Sequence, residues 1–159
     1  MFRISKLTDY STVVMACLAQ SPGEKRNARD ITEQTHLALP TVSKILKILT
    51  KAGLLVSHRG AAGGYSLSRA PEDISIAEII TAMEGGLGLT ECGEQAGLCD
   101  YEELCAIRGN WHSISHMIHD SLQKISLADM AKPMQQTDVC IDIKDIKRAT
   151  DTATGNNHE

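Results

Sequence analysis

From Leu7 the apolar positions Leu7, Tyr10, Val14, Cys17 and Leu18 recur at helical spacing, and Ser21-Pro22-Gly23 breaks the pattern. This predicts a first, core-forming helix. A short second helix follows Asn27, is anchored by Ile31 and ends near Thr35. Residues 36–39 link it to Pro40, which suits the first turn of a new helix because its missing N–H would have no partner there. On that third helix Val42, Ile45, Leu46 and Leu49 form the inner face, and Thr41, Lys44, Lys47 and Lys51 fall largely on the opposite side. Gly53 stops it, 54–58 reads as a strand, 60–64 as a loop and 65–67 as a returning strand. Ser75 caps a further helix to about Met83 with Ile76, Ile79 and Ile80 inward. The predicted fold is mainly α with a small β-wing: a winged helix-turn-helix followed by a long helix.

That long helix is read over 106–126, where Ile107, Trp111, Ile114, Ile118, Leu122 and Ile125 step by three and four. The seam has coiled-coil spacing. It is too long an apolar stripe for a small domain to cover alone, so the sequence predicts a homodimer paired through it. Ser126 restarts one short turn before Pro133. The expected division is a DNA-binding region over 1–70, a cysteine loop and dimerisation helix of the same domain over 71–131, and a disordered tail over 132–159. Within the tail Val139, Ile141 and Ile143 alternate as in a transient strand.

At 159 residues the chain fits one ordinary domain, and a single Trp, a single Phe and three Tyr leave the core to aliphatic packing. No apolar run reaches the roughly 20 residues that span a bilayer, and the start, MFRISKLTDY, lacks a signal peptide's apolar stretch. A cytoplasmic protein without a membrane partner is expected. The net charge of −4 hides an asymmetry: residues 1–70 carry ten Lys and Arg against four Asp and Glu, and 71–159 carry six against sixteen. A half at +6 beside a half at −10 gives one surface able to meet phosphates, so double-stranded operator DNA is the expected partner. Thr41, Ser43, Lys44 and Lys47 of the third helix, with Arg59 and Gly60 at the wing tip, are the candidate DNA contacts. The 60–64 loop is no phosphate cradle, because no GK[ST] ending and no following helix accompany it.

Residues 84–104 hold no sustained period, and glycines and acids fill them. Packing alone would not order such a loop. Cys92, Cys99 and Cys105 are spaced C-x6-C-x5-C, wide enough for the loop to wrap three thiolates around a metal centre, with Cys105 expected at the start of the next helix. Soft thiolates select iron–sulfur clusters, zinc or copper(I), and their number does not choose among these. Cys17 reads as a core thiol and Cys140 as incidental. His112, His116 and His119 have a spacing that can chelate a divalent ion or form a polar helix face. A zinc-stabilised DNA-binding regulator stays open as an alternative. A thiol redox enzyme stands further off, because neither a C-x-x-C pair nor a Cys/His dyad is present. No catalytic residue is assigned and the chain is read as a non-enzyme.

The segments ISKLTDY at 4–10, LPTVSKILKILTKAGL at 39–54, HRGAAGGYSL at 58–67, SIAEII at 75–80 and the cysteine loop together resemble the iron–sulfur cluster regulator (IscR-like) family of bacterial repressors, above all its SUF-operon regulators. The resemblance covers residues 1 to about 131. It implies a dimeric winged-helix repressor carrying a [4Fe-4S] or [2Fe-2S] cluster whose state alters operator affinity, with iron–sulfur supply, redox or nitric oxide stress as the signal. In the best-known member a histidine ligand stands three places after the last cysteine, but Arg108 occupies that place here and cannot bind iron. In the nitric-oxide-sensing branch an aspartate of the partner's first helix completes a four-iron cluster, and Asp9 matches it. His112 is the rival fourth ligand.

Overall fold

The computed structural model describes residues 3–60, 63–90, 99–100 and 104–132. Helix α1 (Lys6–Ala19) starts at Ser5, whose hydroxyl accepts the Thr8 N–H. Helix α2 (Ala28–Thr35) is held by a capping box in which the Asn27 side chain takes the Asp30 N–H and Asp30 reaches back. His36, at φ +57°, turns the chain out of it. Helix α3 (Leu39–Lys51) carries Pro40 in its first turn. It closes in a Schellman motif: Leu54 N–H donates to the Leu49 carbonyl at 3.0 Å and Gly53 N–H to Thr50 at 3.1 Å, with Gly53 at φ +77°. This closure holds Leu54 on the helix end, and strand β1 begins one residue later than the apolar pattern suggests.

Strands β1 (Leu55–His58) and β2 (Gly64–Leu67) pair antiparallel, Leu55 opposite Leu67 and His58 opposite Gly64. The hairpin has a third member. Arg26 and Tyr65 exchange backbone hydrogen bonds of 3.0 and 2.8 Å, so the segment before α2 fastens the base of the wing. After a 3-10 turn (Pro71–Asp73), helix α4 (Ile76–Glu84) is capped by a Ser75–Glu78 box and ended by Gly85 at φ +90°.

Helix α5 runs Arg108–Gln123, shorter at both ends than the apolar seam implies, because Ile107 lies outside helical geometry at φ −105°, ψ 6°. Cys105 therefore precedes the helix, and its carbonyl accepts the Arg108 N–H at 3.2 Å. Helix α6 (Leu127–Ala131) follows a Ser126–Asp129 capping box. The chain re-enters the fold here through a bridge between Ser75 and Ser126, flanked by Ile76 N–H to the Ile125 carbonyl at 2.9 Å and Leu127 N–H to the Ile74 carbonyl at 2.7 Å.

One core joins these parts. Val14, Met15, Ile31, Val42, Ile45, Leu46, Leu49, Ile74, Ile79 and Leu127 are completely buried and belong to a single cluster. Each such aliphatic side chain contributes about 1.5–3 kcal/mol by leaving water. Among the described residues no helix is long and apolar enough to cross a membrane. The tail from 133 onward lies outside the described residues.

Candidate nucleic-acid interface and cysteine site

The inner face of α3 is sealed, and its burial turns the basic residues outward. Lys44, Lys47 and Lys51 are exposed, and Thr41 and Ser43 are half-buried at the edge of the same surface. A helix anchored by four buried aliphatic residues presents these groups from a rigid base, as phosphate or base-edge contact requires. Arg59 and Gly60 are exposed at the far end of the hairpin, where Gly60 takes φ +107° and accepts the Gly63 N–H at 3.0 Å. A Cβ at Gly63 would overlap the His58 carbonyl oxygen, so this turn is closed to other residues. His58 and Ser66 meet at 3.0 Å across the strands. Residues 61–62 of the tip lie outside the described residues.

The end of α4 meets the start of α1. Glu84 accepts the Thr8 hydroxyl and, at 3.0 Å, the Ser5 N–H. These hydrogen bonds, that from Thr8 foremost, hold its carboxyl below the usual glutamate range. Glu84 was not singled out from sequence. Its only local signal is a terminal acid on a helix, and its partners lie more than seventy residues away. Asp9, one residue beyond Thr8, is exposed. Arg3, Ile4, Ile80, Glu84 and Leu87 line a shallow cleft of about 230 Å³ at this junction. Further along, Leu89 N–H reaches the hydroxyl of Ser115, the one buried residue of α5, at 3.4 Å.

Of the three clustered cysteines, Cys92 lies outside the described residues. Cys99 and Cys105 are half-buried free thiols. Among the described residues no three metal-binding side chains converge. Cys17 is buried and its Sγ–H donates to Gln34 Oε1 at 3.1 Å. Burial pushes that thiol up, against the opposing pull of Arg26, so it is a protonated core residue as its place on the apolar face predicts.

The seam of α5 divides in two. Leu122 and Ile125 pack against the core, and Trp111, Ile114 and Ile118 are half-buried. Ile107 is 54% exposed and Leu104 is 88% exposed. The apolar stripe thus continues off the core into solvent.

The profile of the family described as "Rrf2: Iron-dependent Transcriptional regulator" matches residues 4–133. A putative HTH-type transcriptional regulator, ORF2, of Azotobacter vinelandii is 33% identical over 126 residues, which are 79% of this chain and 72% of that protein. Among solved structures, T. potens IscR superposes with a TM-score of 0.60 and 30% identity over 84% of this chain and 93% of its own. CymR, the global cysteine regulator of B. subtilis, gives a TM-score of 0.64 and 27% identity over 82% of this chain and 97% of its own.

Proposed function

The chain belongs to the Rrf2 family of transcriptional regulators, and from that premise we infer that it is a repressor whose hold on operator DNA answers to an iron–sulfur cluster. It is a DNA-binding regulator with a winged helix-turn-helix fold. Its relatives are named as regulators, and the reading is of action by binding, in the cytoplasm, without catalysis. Residues 1–70 form the reading region, 71–131 the sensing and pairing region, and 132–159 a tail. Thr41, Ser43, Lys44 and Lys47 enter or flank the major groove, and Arg59 and Gly60 meet the neighbouring groove or backbone. Two copies pair along Trp111, Ile114 and Ile118, which sets two reading regions against two half-sites.

One observation carries the cluster reading: Cys99 and Cys105 are unpaired, half-buried thiols in a segment whose near end is hydrogen-bonded to the first turn of α1. The donor set fits the group, since soft, half-buried sulfur donors favour it. Cys92, Cys99 and Cys105 would hold it, with Asp9 of the partner copy supplying an oxygen donor. When bound, the cluster supplies a centre that oxygen or nitric oxide attacks. The chain's own contribution is positional: Glu84 ties the segment's start to α1, which packs on α2 and α3, and Leu89 ties it to α5.

The test is anaerobic reconstitution followed by an absorption spectrum, iron and sulfide analysis, and operator binding with and without the cluster. Brown protein containing both elements, with an affinity that shifts on cluster loss, is expected. Colourless protein that retains zinc and binds DNA identically after reconstitution would overturn the cluster in favour of a structural zinc site.

A further inference from the structure

The histidines of α5 are not used by this reading. His112 and His116 stand one helical turn apart, both exposed, with Nε2 atoms 3.1 Å apart, ring centroids at 4.5 Å and planes at 72°. At about 100° per residue, this pair lies roughly 140° round the helix from the Trp111, Ile114 and Ile118 stripe. A second copy seated on the stripe leaves the pair open to solvent.

A first-row divalent ion sits about 2.0–2.1 Å from an imidazole nitrogen. Two nitrogens 3.1 Å apart then subtend about 100° at such an ion, between the octahedral right angle and the tetrahedral angle. The spacing of the two nitrogens is that of two ligands of one ion, and a modest turn of each ring aims both at it. We propose that His112 and His116 form a divalent transition-metal site, for an ion of the zinc, nickel or copper(II) kind that imidazole prefers, separate from the cysteine segment. Without metal, one ring's Nε2–H donates to the other. With metal, both Nε2 lone pairs bind it and the ring protons reside on Nδ1. Asp120 lies one turn further along, in contact with His119 at 3.5 Å, and water fills the remaining positions. An ion joining residues 112 and 116 locks the part of α5 that the cysteine segment leads into, giving the helix a second metal input.

The experiment titrates nickel(II) alone into untagged full-length protein and into the His112→Gln/His116→Gln double variant, with circular dichroism to verify that both are folded. Thiols also take nickel, so the informative quantity is the difference. The wild type is expected to bind one more ion per chain, and each single variant to weaken that step at least tenfold. Equal stoichiometry and affinity in wild type and double variant would overturn the site. The double variant is also expected to keep the wild-type cluster spectrum after anaerobic reconstitution. Loss of that spectrum would make the histidines cluster ligands and overturn the separate site, whereas failure of the cluster in both proteins would leave the nickel difference readable.

Discussion

Glu84, the last residue of α4, accepts the hydroxyl proton of Thr8, a completely buried residue in the first turn of α1. The carboxyl itself is exposed, so solvent screens much of this link, and Glu84→Ala should cost about 1 kcal/mol. Because the folded state lowers the carboxyl's pKa, the contribution is present above the unfolded value and lost as pH falls through the lower, folded one. Thermal melts should therefore separate wild type from variant at pH 7 and bring them together below the ordinary glutamate value of about 4.3. A difference that persists undiminished at pH 3 would assign the effect to something other than ionisation.

The exposed lysines of α3 should behave as phosphate contacts. Lys44→Ala and Lys47→Ala should each weaken binding to every sequence and lower the slope of log affinity against log salt by about one. Arg59→Ala should instead alter discrimination between operator and random DNA. Fluorescence anisotropy over a salt series measures both, and unchanged operator affinity in all three variants would place the interface elsewhere.

At Gly64 a Cβ would lie 2.7 Å from the Arg26 carbonyl oxygen, across the bridge that fastens the wing. Gly64→Ala should thus displace β2 and cost about 1–3 kcal/mol. Operator binding should fall while the sedimentation coefficient of the free protein stays unchanged. Wild-type binding by this variant would mean that the wing needs no anchor.

Pairing along α5 should depend on Ile114 and Ile118, which are half-buried although only Ser115 on that helix is buried. Ile114→Asp with Ile118→Asp should produce folded monomers in sedimentation velocity. An intact dimer would assign the stripe to the monomer's own packing.

The elements up to α4 were legible because punctuation and period agree there. Asn27, Pro40, Gly53 and Ser75 stand at the observed helix boundaries, and Val42, Ile45, Leu46 and Leu49 are all buried as their spacing requires. The start of α5 was misplaced because Ile107 extends the apolar seam while its backbone is not helical. Leu127 reads only as part of one short turn before Pro133, and no local pattern reports that it is fully buried or that its N–H meets Ile74. The same holds for the Arg26–Tyr65 bridge and for Glu84, whose partners are distant in sequence. Of the site, the lysine face follows from periodicity alone. The cysteine cluster was visible only as a spacing, and the closeness of the two histidine rings depends on rotamers that a sequence does not specify.

The Ser75–Ser126 bridge has an evolutionary consequence. The stretch that begins at Ser75 and ends at Ser126 has its two ends joined side by side by adjacent hydrogen bonds. With α4 kept in the core and this closure kept beside it, a lineage can vary the length and composition of the chain between α4 and α5 without retying the part that reads DNA.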